Sequence, residues 1–315
     1  FLDFTQKKNI KLINDLYLEG CEIMLLEMKN ISKFFGPVKA LSGVDFSVQR
    51  ASIHGLLGEN GAGKSTLMNI LSGTIPLSEG DIYFQDEKID EMTTNKSKKL
   101  GIRFIHQELN LINDLKVYEN LFLSEEIKNK FGFLDKKAMI EKSREIIKKL
   151  KMTINPEEIV EYLDMPQKQM IEIAKALLFD YKLIIMDEPT TALTNKEIDS
   201  LFDIMRFLKE EGVSIIYISH KMPELFSICD DYTVLRDGRF IQTGKFSDIN
   251  EKMATELLVG RKLVEDELEA GEIPDIPLLK VNNFSGKTFK NISFDVKKGE
   301  TIAITGLYGD GRAEF

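Results

Sequence analysis

Cysteine is almost missing from this chain. Its 315 residues hold two, Cys21 and Cys229, and their spacing makes neither a disulfide framework nor a zinc pattern. Reduced thiols in a cytoplasmic protein are the simplest reading. No apolar run approaches the ~18 residues needed to span a bilayer, so a membrane role has to come through a partner. No signal-peptide h-region or small-residue cleavage site is visible either. Histidine is scarce: His106 has no ligand partner at helical spacing, and His54 lies inside an apolar run, so both read as structural. Basic residues are outnumbered, 42 Lys and Arg against 51 Asp and Glu, for a net charge of -9. That balance argues against a nucleic-acid partner. What remains, 43% hydrophobic and 30% charged, describes a globular protein of one large or two ordinary domains.

The most informative stretch is Gly58-Glu59-Asn60-Gly61-Ala62-Gly63-Lys64-Ser65-Thr66, which fits G-x-x-x-x-G-K-[ST]. An apolar run, Ile53 to Leu57, precedes it as a strand, and Leu67 to Leu71 follows as a helix. Glycines at these positions let backbone N–H groups turn onto a phosphate chain, and the helix N-terminus adds partial positive charge. The pattern assigns Lys64 to the β- and γ-phosphates and Ser65 to Mg²⁺. A nucleoside triphosphate with Mg²⁺ is therefore expected at this loop.

A second motif lies 123 residues beyond Lys64. Leu183 to Met186 reads as a buried strand that delivers Asp187 and Glu188, with Pro189 breaking the ladder. Neighbouring strand residues point to opposite faces, so the two acids serve different roles unless the strand ends there. Asp187 suits the outer shell of Mg²⁺, and Glu188 suits polarising an attacking water. Val213 to Ile218 reads as another buried strand, ending in Ser219-His220, where a histidine can contact a γ-phosphate.

Between these motifs, residues 117–165 read as helical. Ala138 to Met152 places Met139, Ile140, Ile146, Ile147 and Leu150 on one face. Met165 to Leu178 forms a second amphipathic helix with Pro166 in its first turn. Thr194 with Glu197 makes a capping box ahead of a helix to Leu208. Asp237-Gly238 reads as a hairpin turn. Two residues stay ambiguous on their own. Phe35 can stack on an adenine ring or pack in the core; Gln107, ending the strand from Ile102, can serve Mg²⁺ and its water or be structural.

Beyond an acidic, proline-bearing stretch at 261–277, the pattern returns. Ile292, Phe294 and Val296 recur 248 residues after Val44, Phe46 and Val48, and Gly306 and Gly311 recur after Gly58 and Gly63 at the same offset. In this second loop Arg312 stands where Lys64 stood and Ala313 where Ser65 stood. Arginine keeps the charge but not the shape, and alanine cannot ligate Mg²⁺. Two complete copies would need roughly 520 residues, so the sequence reads as a truncated repeat. Residues 1–23, ahead of Met24, read as a leader outside the fold.

This order of motifs resembles the nucleotide-binding subunit of ATP-binding-cassette (ABC) transporters, over Leu25 to about Gly260 and again after 278. Met170 to Ala176, and Tyr217 to Met222 followed by Cys229-Asp230-Asp231, resemble the monosaccharide-importer class. The resemblance implies an α/β P-loop NTPase with a mixed sheet core, an antiparallel β subdomain and a helical insert at about 110–173. It implies domains at 24–260 and from 278, joined by the 261–277 linker. It implies Phe35 as the adenine-stacking aromatic, Gln107 as the Q-loop residue, Glu188 as catalytic base, His220 as the switch histidine, and Ala192 to Thr194 in the D-loop. Expected partners are integral membrane permease subunits, a periplasmic or extracellular sugar-binding protein acting indirectly, and a second ABC domain in cis. The expected place is the cytoplasmic face of the membrane.

One motif departs. Where this family usually has Leu-Ser-Gly-Gly-Gln, the chain has Leu163-Asp164-Met165-Pro166-Gln167. Asp164 would repel a phosphate unless protonated or bridged by a cation, so this signature is expected to grip ATP weakly. In the family it would face the altered second loop, leaving one competent and one weak site. Two other readings stay open: a soluble ABC-type ATPase acting on ribosomes or DNA, and an impaired fragment that only binds ATP.

Overall fold

A computed structural model describes residues 23–105, 110–150, 152–179, 181–191, 193–261 and 275–305. His106, Gln107, Ala192, Cys21, the 1–22 part of the proposed leader and the second glycine loop from 306 lie outside the described residues. The chain divides into two compact units, one through Lys262 and one from Leu263.

In the first unit, β1 (Met24–Phe35), β2 (Val38–Gln49), β4 (Glu79–Phe84) and β5 (Glu87–Ile89) form an antiparallel sheet in the order β2-β1-β4-β5. A second sheet has six strands: β3 (Ile53–Leu57), β6 (Ile102–Ile105), β7 (Leu183–Asp187), β8 (Ser214–Ile218), β9 (Asp231–Arg236) and β10 (Arg239–Lys245). Its order is β10-β9-β3-β8-β7-β6, parallel throughout except for β10. The helices are α1 (Lys64–Leu71), α2 (Thr94–Leu100), α3 (Val117–Leu121), α4 (Lys136–Lys149), α5 (Met165–Leu177), α6 (Asn195–Glu210), α7 (Met222–Ile228) and α8 (Glu251–Val259). This is the mixed sheet, antiparallel subdomain and helical insert that the motif order implied.

The larger sheet is a partition between two cores. Leu183 and Ile185 pack with β1, β2, β4 and α1, whereas Ile184 and Met186 pack against the helices of the other face. All four are buried, which is why β7 reads as an unbroken apolar run instead of an alternating one. Strands covered on one face alternate instead: in β2, Val44, Phe46 and Val48 are buried and their neighbours are less so.

One sequence expectation needs correction. The 117–165 stretch is not continuously helical: α3 ends at Leu121 and α4 starts at Lys136. Ser124 and Gly132 take positive φ between them, and a bridge joins Lys128 to Leu134. Positive φ cannot continue a right-handed helix, so the chain turns there. The β1 and β2 strands run up to a two-residue turn at Gly36-Pro37.

The second unit holds an antiparallel hairpin of β11 (Pro277–Phe284) and β12 (Ile292–Lys297). Its pairs Leu279↔Val296 and Val281↔Phe294 reproduce Leu26↔Val48 and Met28↔Phe46 of the first unit. The two hairpins therefore share a strand register.

His54 provides a check on the packing of β3. It is buried, its Nε2 lies 2.8 Å from the Thr233 hydroxyl, and burial pushes its pKa from 6.5 down to about 3. Between those values the unfolded chain takes up a proton that the folded chain refuses. Stability should therefore fall as pH drops below 6.5, at up to about 1.4 kcal/mol per pH unit. Urea titrations of His54→Gln should lack this part of the acid slope; an unchanged slope would mean that another group carries it.

Candidate functional site

The parallel strands of the large sheet all deliver their C-terminal ends to one edge, where α/β sheets bind ligands. From β3 the chain enters the glycine loop. Gly63 caps α1 with φ 100, and a Cβ there would stand 2.6 Å from Leu41 Cδ2. At Gly58 a Cβ would stand 2.7 Å from the Leu235 carbonyl oxygen. Both positions therefore need glycine: one for its conformation and the approach of β2, the other for the approach of β9.

The loop borders an open cavity of about 440 Å³ lined by Val38 to Ala40, Asn60 to Thr66, Asp237 and Gly238. The Lys64 ammonium donates to the carbonyl oxygens of Gly58, at 2.6 Å, and Glu59, at 3.0 Å. Burial lowers its pKa, and the Asp187 and Glu188 carboxylates oppose that shift. Lys64, Ser65 and Thr66 thus bring an ammonium and two hydroxyls to the lining of one hollow. These are the donors that a polyphosphate accepts from, so the residues present fit a nucleotide's phosphates. Among the described residues no group of three His, Cys, Asp or Glu side chains could hold a metal ion. The oxygen donors for Mg²⁺ near the loop would be Ser65 and Asp187.

At the end of β7 the strand does stop. Glu188 has φ 48, outside the strand region, and its N–H donates to the Ile218 carbonyl oxygen at 2.9 Å. Asp187 keeps the strand pairing with Ile218, so the two acids leave the backbone in different conformations. A Glu188 carboxylate oxygen lies 3.0 Å from Nδ1 of His220, whose ring is largely exposed. A carboxylate there accepts from Nδ1–H, leaving Nε2 as the other polar end of the ring.

Behind this pair lies a buried cluster that sequence reasoning missed. One Glu224 carboxylate oxygen accepts from the hydroxyls of Thr190 (2.8 Å), Tyr217 (2.7 Å) and Ser219 (3.2 Å). The other faces Lys221 Nζ at 3.0 Å, and Lys221 also donates to Thr190. Burial pushes the Glu224 carboxyl up, but hydrogen bonds from Tyr217, Lys221 and Thr190 outweigh it and leave its pKa below the ordinary value. Burial and the same bond push the Tyr217 phenol up, so it stays a donor. The cluster joins the segment after Glu188 to the segment after His220. Contacts across 34 residues leave no local sequence signal.

The structure separates the other expected residues from this hollow. Phe35 sits at the end of the β1–β2 hairpin, paired with Val38, about half exposed, with Lys33 Nζ 5.1 Å from its ring center. It is beside the lining but not part of it. Phe34 is also partly exposed and carries Lys39 over its ring. Leu163 to Gln167 lies at the start of α5. There Asp164 is the N-cap: its carboxylate accepts from Gln167 N–H at 2.8 Å, and Gln167 Oε1 accepts from Asp164 N–H at 3.1 Å. Asp237-Gly238, read from sequence as a hairpin turn, also closes onto the loop: Gly238 N–H donates to the Ala62 carbonyl oxygen at 3.2 Å.

Residues 41–191 match the family model described as "ABC transporter". The chain is 47% identical over 293 residues to the ribose import ATP-binding protein RbsA of Oceanobacillus iheyensis, covering 93% of this chain and 59% of that protein. It is 45% identical over 291 residues to the RbsA of Caldanaerobacter subterraneus subsp. tengcongensis, covering 92% and 59%. The chain thus spans 59% of the length of these curated relatives. Among solved structures, the ADP conformation of an ATP-binding cassette of an ABC transporter superposes with TM-score 0.66 at 27% identity, covering 76% of this chain and 99% of that one. A nucleotide-free cassette superposes with TM-score 0.65 at 26% identity, covering 75% and 95%.

Removing the Glu224 carboxylate should strand three buried hydroxyls and an ammonium. Glu224→Ala should cost about 3 kcal/mol and Tyr217→Phe about 1 kcal/mol in urea unfolding. In the double variant the second change should cost less than it does alone. Full additivity would break the cluster into independent contacts.

Proposed function

We propose, from a chain whose residues 41–191 belong to the ABC transporter family, that this protein binds and hydrolyses ATP to energise import of a simple sugar through a membrane permease. The single observation that carries the reading is the gathering of the Lys64 loop, Asp187, Glu188 and His220 at one edge of the sheet. The names of the ribose-import relatives favour a pentose or related monosaccharide as the solute. They do not favour a ribosome- or DNA-directed ATPase. No helix among the described residues is long and apolar enough to cross a membrane, so the reading gives translocation to permease subunits and solute capture to a separate sugar-binding protein.

In this reading the loop N–H groups and Lys64 hold the β- and γ-phosphates. Ser65 and Asp187 would hold Mg²⁺, with Gln107 a further donor from the sequence. When bound, Mg²⁺ neutralises charge on the phosphates. Glu188 takes the water proton as general base. His220, hydrogen-bonded to Glu188, orients that carboxylate and presents its other nitrogen to the γ-phosphate. Phe35 supplies a face for the adenine ring beside the cavity.

A nucleotide held between two cassettes also needs a signature from the facing copy. The 163–167 stretch would face the Arg312 loop, which lacks the serine hydroxyl, and so contribute the weak site. The 58–66 loop with Glu188 would form the competent one. The 278–315 region belongs to the second cassette in this reading, with 261–277 as the linker.

Lys64→Ala should weaken MgATP binding more than about tenfold, since it removes the ammonium that the phosphates need. In the assembled transporter, Glu188→Gln should keep ATP binding and lose about 100-fold or more of steady-state hydrolysis, whereas Arg312→Ala should change it little. Equal losses in the last two would overturn the asymmetric reading. Hydrolysis that is not stimulated by ribose-loaded binding protein would overturn the import reading while leaving the ATPase assignment intact.

A further inference from the structure

Between α3 and α4 the chain makes a tight turn that displays apolar side chains to solvent. Phe131 is 85% exposed, Phe133 72% and Leu134 50%. An exposed phenylalanine pair is uncommon on a globular surface and marks contact with something apolar. The turn is rigidly built. Asn129 Oδ1 accepts from the N–H groups of Phe131 (2.9 Å) and Phe133 (3.1 Å), and Gly132 N–H donates back to the Asn129 carbonyl oxygen. Asn129 N–H donates to the Phe133 carbonyl oxygen at 2.8 Å. The rings are therefore presented by a closed hydrogen-bonded loop, at little further ordering cost.

Charge surrounds the rings. Lys128, Lys130, Lys136 and Lys137 are all exposed, and none forms an ion pair among the described residues. The nearby acids are engaged elsewhere. Asp135 caps α4 by accepting from Ala138 N–H, Glu126 accepts from Ser124 N–H, and Glu125 acts on Lys175 and Tyr181. In a chain of net charge -9 this is a local basic collar around an aromatic tip.

We propose that the 128–137 turn is a lipid-contacting wedge, with Phe131, Phe133 and Leu134 entering the interfacial region of a bilayer and the four lysines meeting anionic headgroups. The apolar tip supplies burial, and long lysine stems allow the ammonium groups to stay at headgroup level. Each lysine near a negative surface adds attraction that a neutral surface does not offer, so the occupant is an anionic membrane and not any apolar body. This goes beyond the import reading and does not depend on it.

The chain contains no tryptophan, so Phe131→Trp provides a single fluorescent reporter at an exposed position. Its emission should shift to the blue when vesicles of roughly three parts phosphatidylcholine to one part phosphatidylglycerol are added, and hardly at all with pure phosphatidylcholine. Co-sedimentation with the anionic vesicles should fall about tenfold or more in a Phe131→Ser, Phe133→Ser double variant whose circular dichroism matches the parent. A Lys128→Gln, Lys130→Gln, Lys136→Gln, Lys137→Gln variant should bind both vesicle types equally poorly. No blue shift with anionic vesicles would overturn the proposal. So would equal binding of the parent to both vesicle types. A blue shift that grows with protein concentration in the absence of vesicles would also overturn it, assigning the rings to a second copy of the chain.

Discussion

The placement of β8 between β3 and β7 is the constraint on which the site depends. In that register Tyr217 lies opposite Gly55 on one side and Met186 on the other. The C-terminal ends of all three strands then fall together, so the glycine loop, the acidic pair and His220 leave the sheet at one edge. None of these groups is near another in sequence. A slip of one residue in β8 would exchange its two buried faces and turn Tyr217 away from Glu224. The apolar run of β8, covered on both faces, resists that slip less through alternation than through its fit to two distinct cores. Ile216 and Ile218 pack into one core, Ile215 and Tyr217 into the other.

Glu224 fixes in polar terms what the sheet fixes in apolar ones. A buried carboxylate is costly unless every lone pair finds a donor. Here three hydroxyls and one ammonium supply them, from β8 and from the segments that follow β7 and β8. The arrangement holds the backbone after Glu188 against the backbone after His220, so the 3.0 Å contact between these two side chains rests on a second, shielded link behind it. His220 thus presents a largely exposed ring, bonded to Glu188, on a main chain anchored from behind.

What was legible in the sequence follows from range. The glycine loop, the strand ending in Asp187-Glu188 and the box at Thr194 are each set by residues within a few positions of one another, and each is where the spacing put it. The His54 reading held because a polar group within an apolar stretch has few outcomes other than burial. The Glu224 cluster and the closure of Gly238 onto Ala62 were invisible because their partners come from different elements. The over-long helical reading of 117–165 shows a different limit. Lysine- and glutamate-rich segments have helical propensity throughout, but Asn129 and Gly132 form a turn whose hydrogen bonds outcompete it.

Asp164 shows how one residue can satisfy two arguments of opposite sign. Judged as part of a phosphate-gripping signature, a carboxylate there is repulsive. Judged as the first residue of α5, it is among the best choices available, since it accepts from an otherwise orphaned N–H and faces the positive end of the helix. The reciprocal bond from Asp164 N–H to Gln167 completes the cap. A serine at this position can cap as well and leave a neutral hydroxyl for a phosphate; an aspartate caps comparably, adds its charge at the positive end of the helix, and offers only acceptors. The residue therefore trades ligand-binding capacity for helix definition.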